Sequence, residues 1–136
     1  MTFDYLTAED IINLHELGLE RYGGKPGLDE NEGYACVDAK SYLPQQSFAG
    51  IEKYKTLTEK AAAYMYFISI GHCFVDGNKR TGYLAASTFL NLNGYIISVS
   101  DKELYDMCIK IANDKTRPPI EELIEWLQKH IILEED

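Results

Sequence analysis

Apolar positions along this chain recur mostly at helical spacing. Ile11, Leu14 and Leu17 follow Thr7 and Asp10, which stand at capping-box spacing with Asp where Glu is usual, and Leu6 and Ile11 are placed to staple the helix start. Gly23 and Gly24 end that helix, because glycine tolerates a left-handed cap, and "GGKPG" then reads as a turn. A second helix is predicted over residues 29–40. Residues 41–54 contain Pro44 and Gly50, lack a clean period and read as an exposed irregular segment with room for a short hairpin. Thr56 and Glu59 form a capping box before a helix from Leu57 to about Gly71, apolar nearly all round and therefore expected to be buried on several sides. A further helix begins at about Lys79 and stops at Gly94. "YIISV" is a β-like run, too isolated to build a sheet. Ser100 and Glu103 cap a helix through about Asn113; Pro118 and Pro119 suit a first turn, and "IEELIEWLQKHII" continues as an amphipathic helix. The pattern predicts an all-α fold, a bundle of about six helices forming one domain over residues 1–136, without repeat or linker.

Composition narrows the partners. The net charge of −9 argues against binding a nucleic-acid backbone, which calls for a basic patch. Cys36, Cys73 and Cys108 are far apart, odd in number and without zinc spacing, and read as reduced thiols of a cytoplasmic protein. The start "MTFDYLTAED" has neither the basic nor the apolar region of a signal peptide, and no apolar run reaches membrane-spanning length, so no membrane partner is expected.

Between the two most apolar helices lies "GHCFVDGNKRTG", residues 71–82. Gly77 permits a sharp turn, and Asn78 is placed to cap the helix that follows. Lys79 and Arg80 occupy its first turn, where the helix dipole favours acids; basic residues make sense there if a phosphate completes the site. Asp76 adds the single carboxylate that commonly holds Mg²⁺ beside phosphates. His72, four residues earlier, is a candidate base for an attacking hydroxyl, and Phe74 a core anchor. Together these are the parts for phosphoryl or nucleotidyl transfer. A plain structural reading competes, with His72 at a helix end, Asp76 and Asn78 as turn and cap residues, and Lys79 and Arg80 on a solvated face. The full set within ten residues, between two apolar helices, favours chemistry. Arg21 and Lys25, near the Gly-Gly turn, are placed either to approach the site or, as the simpler reading, on a solvated surface; His15 and His130 read as surface or half-buried residues, and Trp126 as core.

"HCFVDGNKR" matches the Fic/Doc motif His-x-Phe-x-Asp/Glu-Gly/Ala-Asn-Gly/Lys-Arg, with Lys79 as in its Doc (death-on-curing) version. "LHELGLERYGGKPG", residues 14–27, resembles the start of Doc proteins. The chain thus resembles the Fic/Doc family over nearly its whole length. The resemblance implies a helical Fic fold and a toxin of a toxin–antitoxin pair. It implies a kinase that transfers the γ-phosphate of ATP to a Thr/Ser hydroxyl of a target protein, elongation factor Tu in the known case, and so halts translation. By position, His72, Asp76, Lys79 and Arg80 would be catalytic, with His72 the base and Asp76 the Mg²⁺ ligand; Gly77, Asn78, Lys79 and Arg80 would hold ATP. Members that transfer AMP have a second glycine where Lys79 stands and a further arginine where Tyr83 stands, so both departures point away from AMP transfer. Two alternatives stay open: an AMP transferase of the same fold, or an inactive interaction module. The intact His72, Asp76, Asn78 and Arg80 argue against the second. Segment 41–54 corresponds to the region that docks target peptides. The self-inhibiting Ser/Thr-x-x-x-Glu-Gly/Asn motif of many members is missing, because Glu30–Asn31 and Glu32–Gly33 are preceded at the required distance by Pro26 and Leu28. Inhibition is therefore expected from an antitoxin whose disordered tail folds into a groove.

Overall fold

Two apolar helices, α3 (Leu57–Gly71) and α4 (Asn78–Leu92), pack along each other at the centre of the computed structural model, which describes residues 2–134. α1 (Ala8–Tyr22) and α5 (Asp101–Ala112) lie against α4. α2 (Gly33–Tyr42) and α6 (Ile120–Gln128) lie against α3. The core is built from Ala61, Tyr64, Met65 and Ile68 of α3 with Ala85, Ala86, Phe89 and Leu90 of α4. Alanines at the crossing let the two helices approach closely, and Gly82 brings them closer still. A methyl group on its Cα would fall on Ser69 Oγ and lie 2.9 Å from the Met65 carbonyl oxygen.

Helix starts follow the local signals. Thr7 and Thr56 both make full capping boxes, with Asp10 and Glu59 respectively, and Ser100 caps α5 through the Glu103 amide. Leu6 and Ile11 are buried together at the start of α1, as a staple requires.

Four expectations are corrected. α2 begins at Gly33, not at residue 29, because residues 27–29 run antiparallel along residues 73–75: Asp29 N–H donates to the Cys73 carbonyl at 2.8 Å, and Val75 N–H to the Gly27 carbonyl at 3.0 Å. The β-like run is not isolated. Strand β3 (Tyr95–Ile97) pairs antiparallel with β4 (Ile131–Leu133), in register Ile96↔Ile132. For the same reason α6 stops at Gln128 instead of continuing through "KHII", and β-branched Ile131 and Ile132 enter the two-stranded sheet. Finally, Cys36 and Cys73 are joined in a disulfide across 37 residues of sequence, tying α2 to the motif loop. Only Cys108 is a free thiol among the described residues; it is buried, and burial pushes its pKa up to about 12. The fold remains mostly helical, with two very short antiparallel sheets. No helix among the described residues is long and apolar enough to cross a membrane.

The segment after α2 forms a turn of 3₁₀ helix (Leu43–Gln45) and a hairpin of β1 (Ser47–Phe48) and β2 (Ile51–Glu52), with Phe48 87% exposed. Its base is held by Lys60, a fully buried lysine within the apolar α3. Lys60 Nζ donates to the carbonyls of Pro44 (3.2 Å) and Tyr54 (2.6 Å) and to Glu52 Oε1 (3.0 Å). Lys60→Met keeps the aliphatic stem but leaves those buried carbonyls unpaired. We expect it to cost about 2–3 kcal/mol in denaturant unfolding, and limited proteolysis should then cut first within residues 44–54. An unchanged unfolding midpoint would show that Lys60 does not hold the hairpin.

Candidate active site

The motif loop is held from three sides. His72 ends α3 in the left-handed conformation, φ 52°, ψ 34°. Its imidazole is exposed and makes no hydrogen bond among the described residues. Cys73 and Phe74 turn inward and are buried, and Val75 and Asp76 turn out. Phe74 is the anchor expected of it, stacked face to face on the ring of His15 with centroids 3.9 Å apart.

His15 is buried, not the surface or half-buried residue that the sequence predicts. It is 4% exposed, and its Nε2 lies 2.7 Å from the Asp76 carbonyl oxygen. Gly77, at φ 80°, passes so close that a Cβ there would sit 3.4 Å from the same ring. α1 therefore carries a flat polar platform under the loop. The signal was present in the spacing: Ile11, His15 and Gly18 form the buried stripe of α1, at helical intervals of four and three.

Asn78 does not cap α4, contrary to expectation. It is the first helical residue, and its side-chain amide clasps the Phe74 peptide groups. Oδ1 accepts from Phe74 N–H at 3.1 Å, and Nδ2 donates to the Phe74 carbonyl at 3.0 Å. The helix starts from Gly77 without a side-chain cap. The first backbone N–H groups of α4 are thus left to point at the loop, the arrangement that receives an anion.

Asp76 is exposed beside this helix start. Its Oδ2 accepts from the Lys25 backbone N–H at 3.0 Å and its Oδ1 from the Gly77 N–H at 2.9 Å. These two amides, the Lys25 one foremost, hold its pKa below the ordinary carboxylate value. The group is ionised at neutral pH, and its grip on the turn is lost only as pH falls through that depressed pKa. Lys25 enters the site first through its backbone, with its charge and that of Lys79 as smaller contributions in the same direction, and Gly24 (φ 120°) gives the carboxylate room: a Cβ there would lie 3.0 Å from Oδ2. Among the described residues no group of three or more His, Cys, Asp or Glu side chains gathers to hold a metal. Asp76 offers a single carboxylate, the kind of group that could hold Mg²⁺ when water and a phosphate supply other ligands.

Lys79 and Arg80 are half-buried in the first turn of α4. Arg80 lies between two aromatic rings, its Cζ 3.8 Å from the Tyr22 centroid and 4.0 Å from that of Tyr105. Tyr83 is buried; desolvation first and the nearby Asp101 second raise its pKa, so its phenol stays neutral, and no arginine charge stands at this position. Arg21 is exposed and Trp126 packs against the core, as expected of both. His130 is half-buried, its Nδ1 2.7 Å from the Trp126 carbonyl oxygen.

Residues 5–90 match the family model described as Fic/DOC family. The chain is similar to the Toxin Doc of Mycolicibacterium smegmatis, 36% identical over 91 residues that cover 67% of this chain and 65% of that protein. It is also similar to the Protein kinase doc of Escherichia phage P1, 32% identical over 109 residues that cover 79% of this chain and 82% of that one. The match thus spans just under two thirds of the mycobacterial relative's length.

Proposed function

Because this chain belongs to the Fic/DOC family, we propose that it is a Doc-type toxin that transfers the γ-phosphate of ATP to a Thr or Ser hydroxyl of a target protein. The carrying observation is the uncapped start of α4, with Lys79 and Arg80 in its first turn and an ionised Asp76 and an exposed His72 beside it.

In this reading the terminal phosphate rests on the amides that open α4, with Lys79 and Arg80 supplying positive charge where negative charge develops. Asn78 contributes its backbone N–H, its side chain being committed to Phe74. Asp76 would hold Mg²⁺, which when bound neutralises phosphate charge. The His72 imidazole takes the proton of the attacking hydroxyl. The hydroxyl oxygen forms a bond to the γ-phosphorus, the bond from that phosphorus to the bridging oxygen breaks, and ADP leaves. The hairpin at residues 47–52, with exposed Phe48 and Ile51, receives the target segment by strand addition. Elongation factor Tu is the proposed target and arrest of translation the result, in the cytoplasm. An antitoxin would restrain the toxin from outside, its disordered tail folding into a groove.

Paired labelling tests the reaction. With purified protein, Mg²⁺ and a translation-competent lysate, label from γ-labelled ATP is expected on a protein of the size of elongation factor Tu, and label from α-labelled ATP on none. The reverse pattern would mean AMP transfer despite Lys79, whose long side chain narrows the deeper path that the β- and γ-phosphates take in that reaction.

A further inference from the structure

Arg80 is the best-held cation in the site, and the residues that hold it lie outside the motif. Its guanidinium is planar, with five N–H donors around its edge and two faces that prefer aromatic rings. Two rings lie against it, that of Tyr22, the last residue of α1, at 3.8 Å from Cζ and that of Tyr105 of α5 at 4.0 Å. The edge is a different matter. Among the described residues no carboxylate forms an ion pair with Arg80, although the chain carries 22 acidic residues against 13 basic ones. A half-buried arginine held against two aromatic rings, with its fork unpaired among the described residues of so acidic a chain, is arranged for an anion that arrives in the plane of the guanidinium. Tyr105 also lies beyond residues 5–90, so α5 adds to the site something that the family match does not cover.

We propose that Tyr22 and Tyr105 are positioning residues: they bracket Arg80 so that only its N–H edge meets the phosphates of the nucleotide. The inference rests on the reading of the site as an ATP site. The bracket acts through geometry and desolvation. Without it, the long side chain samples many rotamers, and water reaches both faces. With it, two parallel N–H···O bonds form at little further ordering cost. The tyrosine hydroxyls are not needed for this, since the ring faces do the stacking.

The test is the affinity for Mg²⁺ and the β,γ-imido analogue of ATP, measured by titration calorimetry. Tyr22→Leu and Tyr105→Leu should each weaken binding about 5-fold, and the pair about 20-fold. Tyr22→Phe and Tyr105→Phe should stay within about 2-fold of the original, because the ring is kept. In an Arg80→Ala background the leucine substitutions should have no further effect, an outcome that a merely structural role for the tyrosines does not produce. Tyr22 is 42% exposed, so its variant carries the test if Tyr105→Leu fails to fold. Binding undiminished by leucine, or an equal loss in the Arg80→Ala background, overturns the bracket while leaving the ATP site standing. If the unmodified protein does not bind the analogue, the ATP reading falls and the bracket with it.

Discussion

His72→Gly is expected to lower the proposed γ-phosphate transfer by about 10²–10⁴-fold, the range lost when a general base is removed, and to leave the protein slightly more stable. The two effects have separate causes. The imidazole is exposed and has no hydrogen-bond partner among the described residues, so its loss leaves no buried group unpaired. The backbone at this position is left-handed, φ 52°. That conformation costs an L-residue about 1–2 kcal/mol, and glycine adopts it freely. Glycine's greater freedom in the unfolded chain offsets part of this, so a net gain of about 1 kcal/mol or a little less is expected. Helix ends in this geometry usually carry glycine, and a histidine that tolerates the strain without a structural partner points to chemistry. The measurements are turnover with γ-labelled ATP and a melting curve on the same sample. Near-normal turnover in His72→Gly would remove His72 from the mechanism. His72→Ala should be equally inactive without the gain in stability, because alanine keeps the backbone cost.

Gly82→Ala is expected to be among the most disruptive glycine-to-alanine changes in the chain. The new Cβ would collide with Ser69 Oγ and press on the Met65 carbonyl oxygen and the Ser69 amide, 2.9 and 3.2 Å away. Two of those three contacts are backbone of the facing helix and cannot swing aside. Overpacking of this kind costs about 1–3 kcal/mol, occasionally more. Alanine's better helix propensity returns about 1 kcal/mol. With rigid backbone in the way we expect the upper end, a net loss of about 2 kcal/mol and a melting temperature lower by about 8 °C. The motif loop joins the two helices being forced apart, so nucleotide affinity should fall as well. Gly50→Ala serves as a control. Its position has left-handed backbone in the hairpin turn, but no atom lies within 4 Å of the added methyl, and nucleotide affinity should hold. Adding Ser69→Ala to Gly82→Ala should recover only part of the loss, because the Met65 carbonyl stays where it is.

Helix ends and the motif were readable because their signals are local. Thr7 with Asp10, Thr56 with Glu59 and Ser100 with Glu103 act within one helical turn, and each caps the helix its spacing implied. The glycine turn after Tyr22 and the run of chemistry between two apolar helices are local in the same sense, so the bounds of α3 and the placing of His72, Asp76 and Lys79 around one helix start followed from neighbours in the chain. Where local and distant contacts compete, spacing is silent. Asn78 has the composition of a cap, yet its amide meets Phe74 because the loop folds back on itself. "YIISV" became a strand only because Ile131–Leu133 arrives beside it, and the helical period of "IEELIEWLQKHII" yielded to that pairing. Cys36 is bonded to Cys73, 37 residues away in the sequence, which no local spacing signals. His15 under Phe74, the Lys25 amide on Asp76 and the two tyrosines on Arg80 all join segments distant in the chain. Capping and periodicity act over three or four residues and are written into order along the chain. Stacking, strand pairing and amide–carboxylate contacts depend on which surfaces meet once α1, α4 and α5 have packed, and that is settled by burial of the shared core rather than by any one segment.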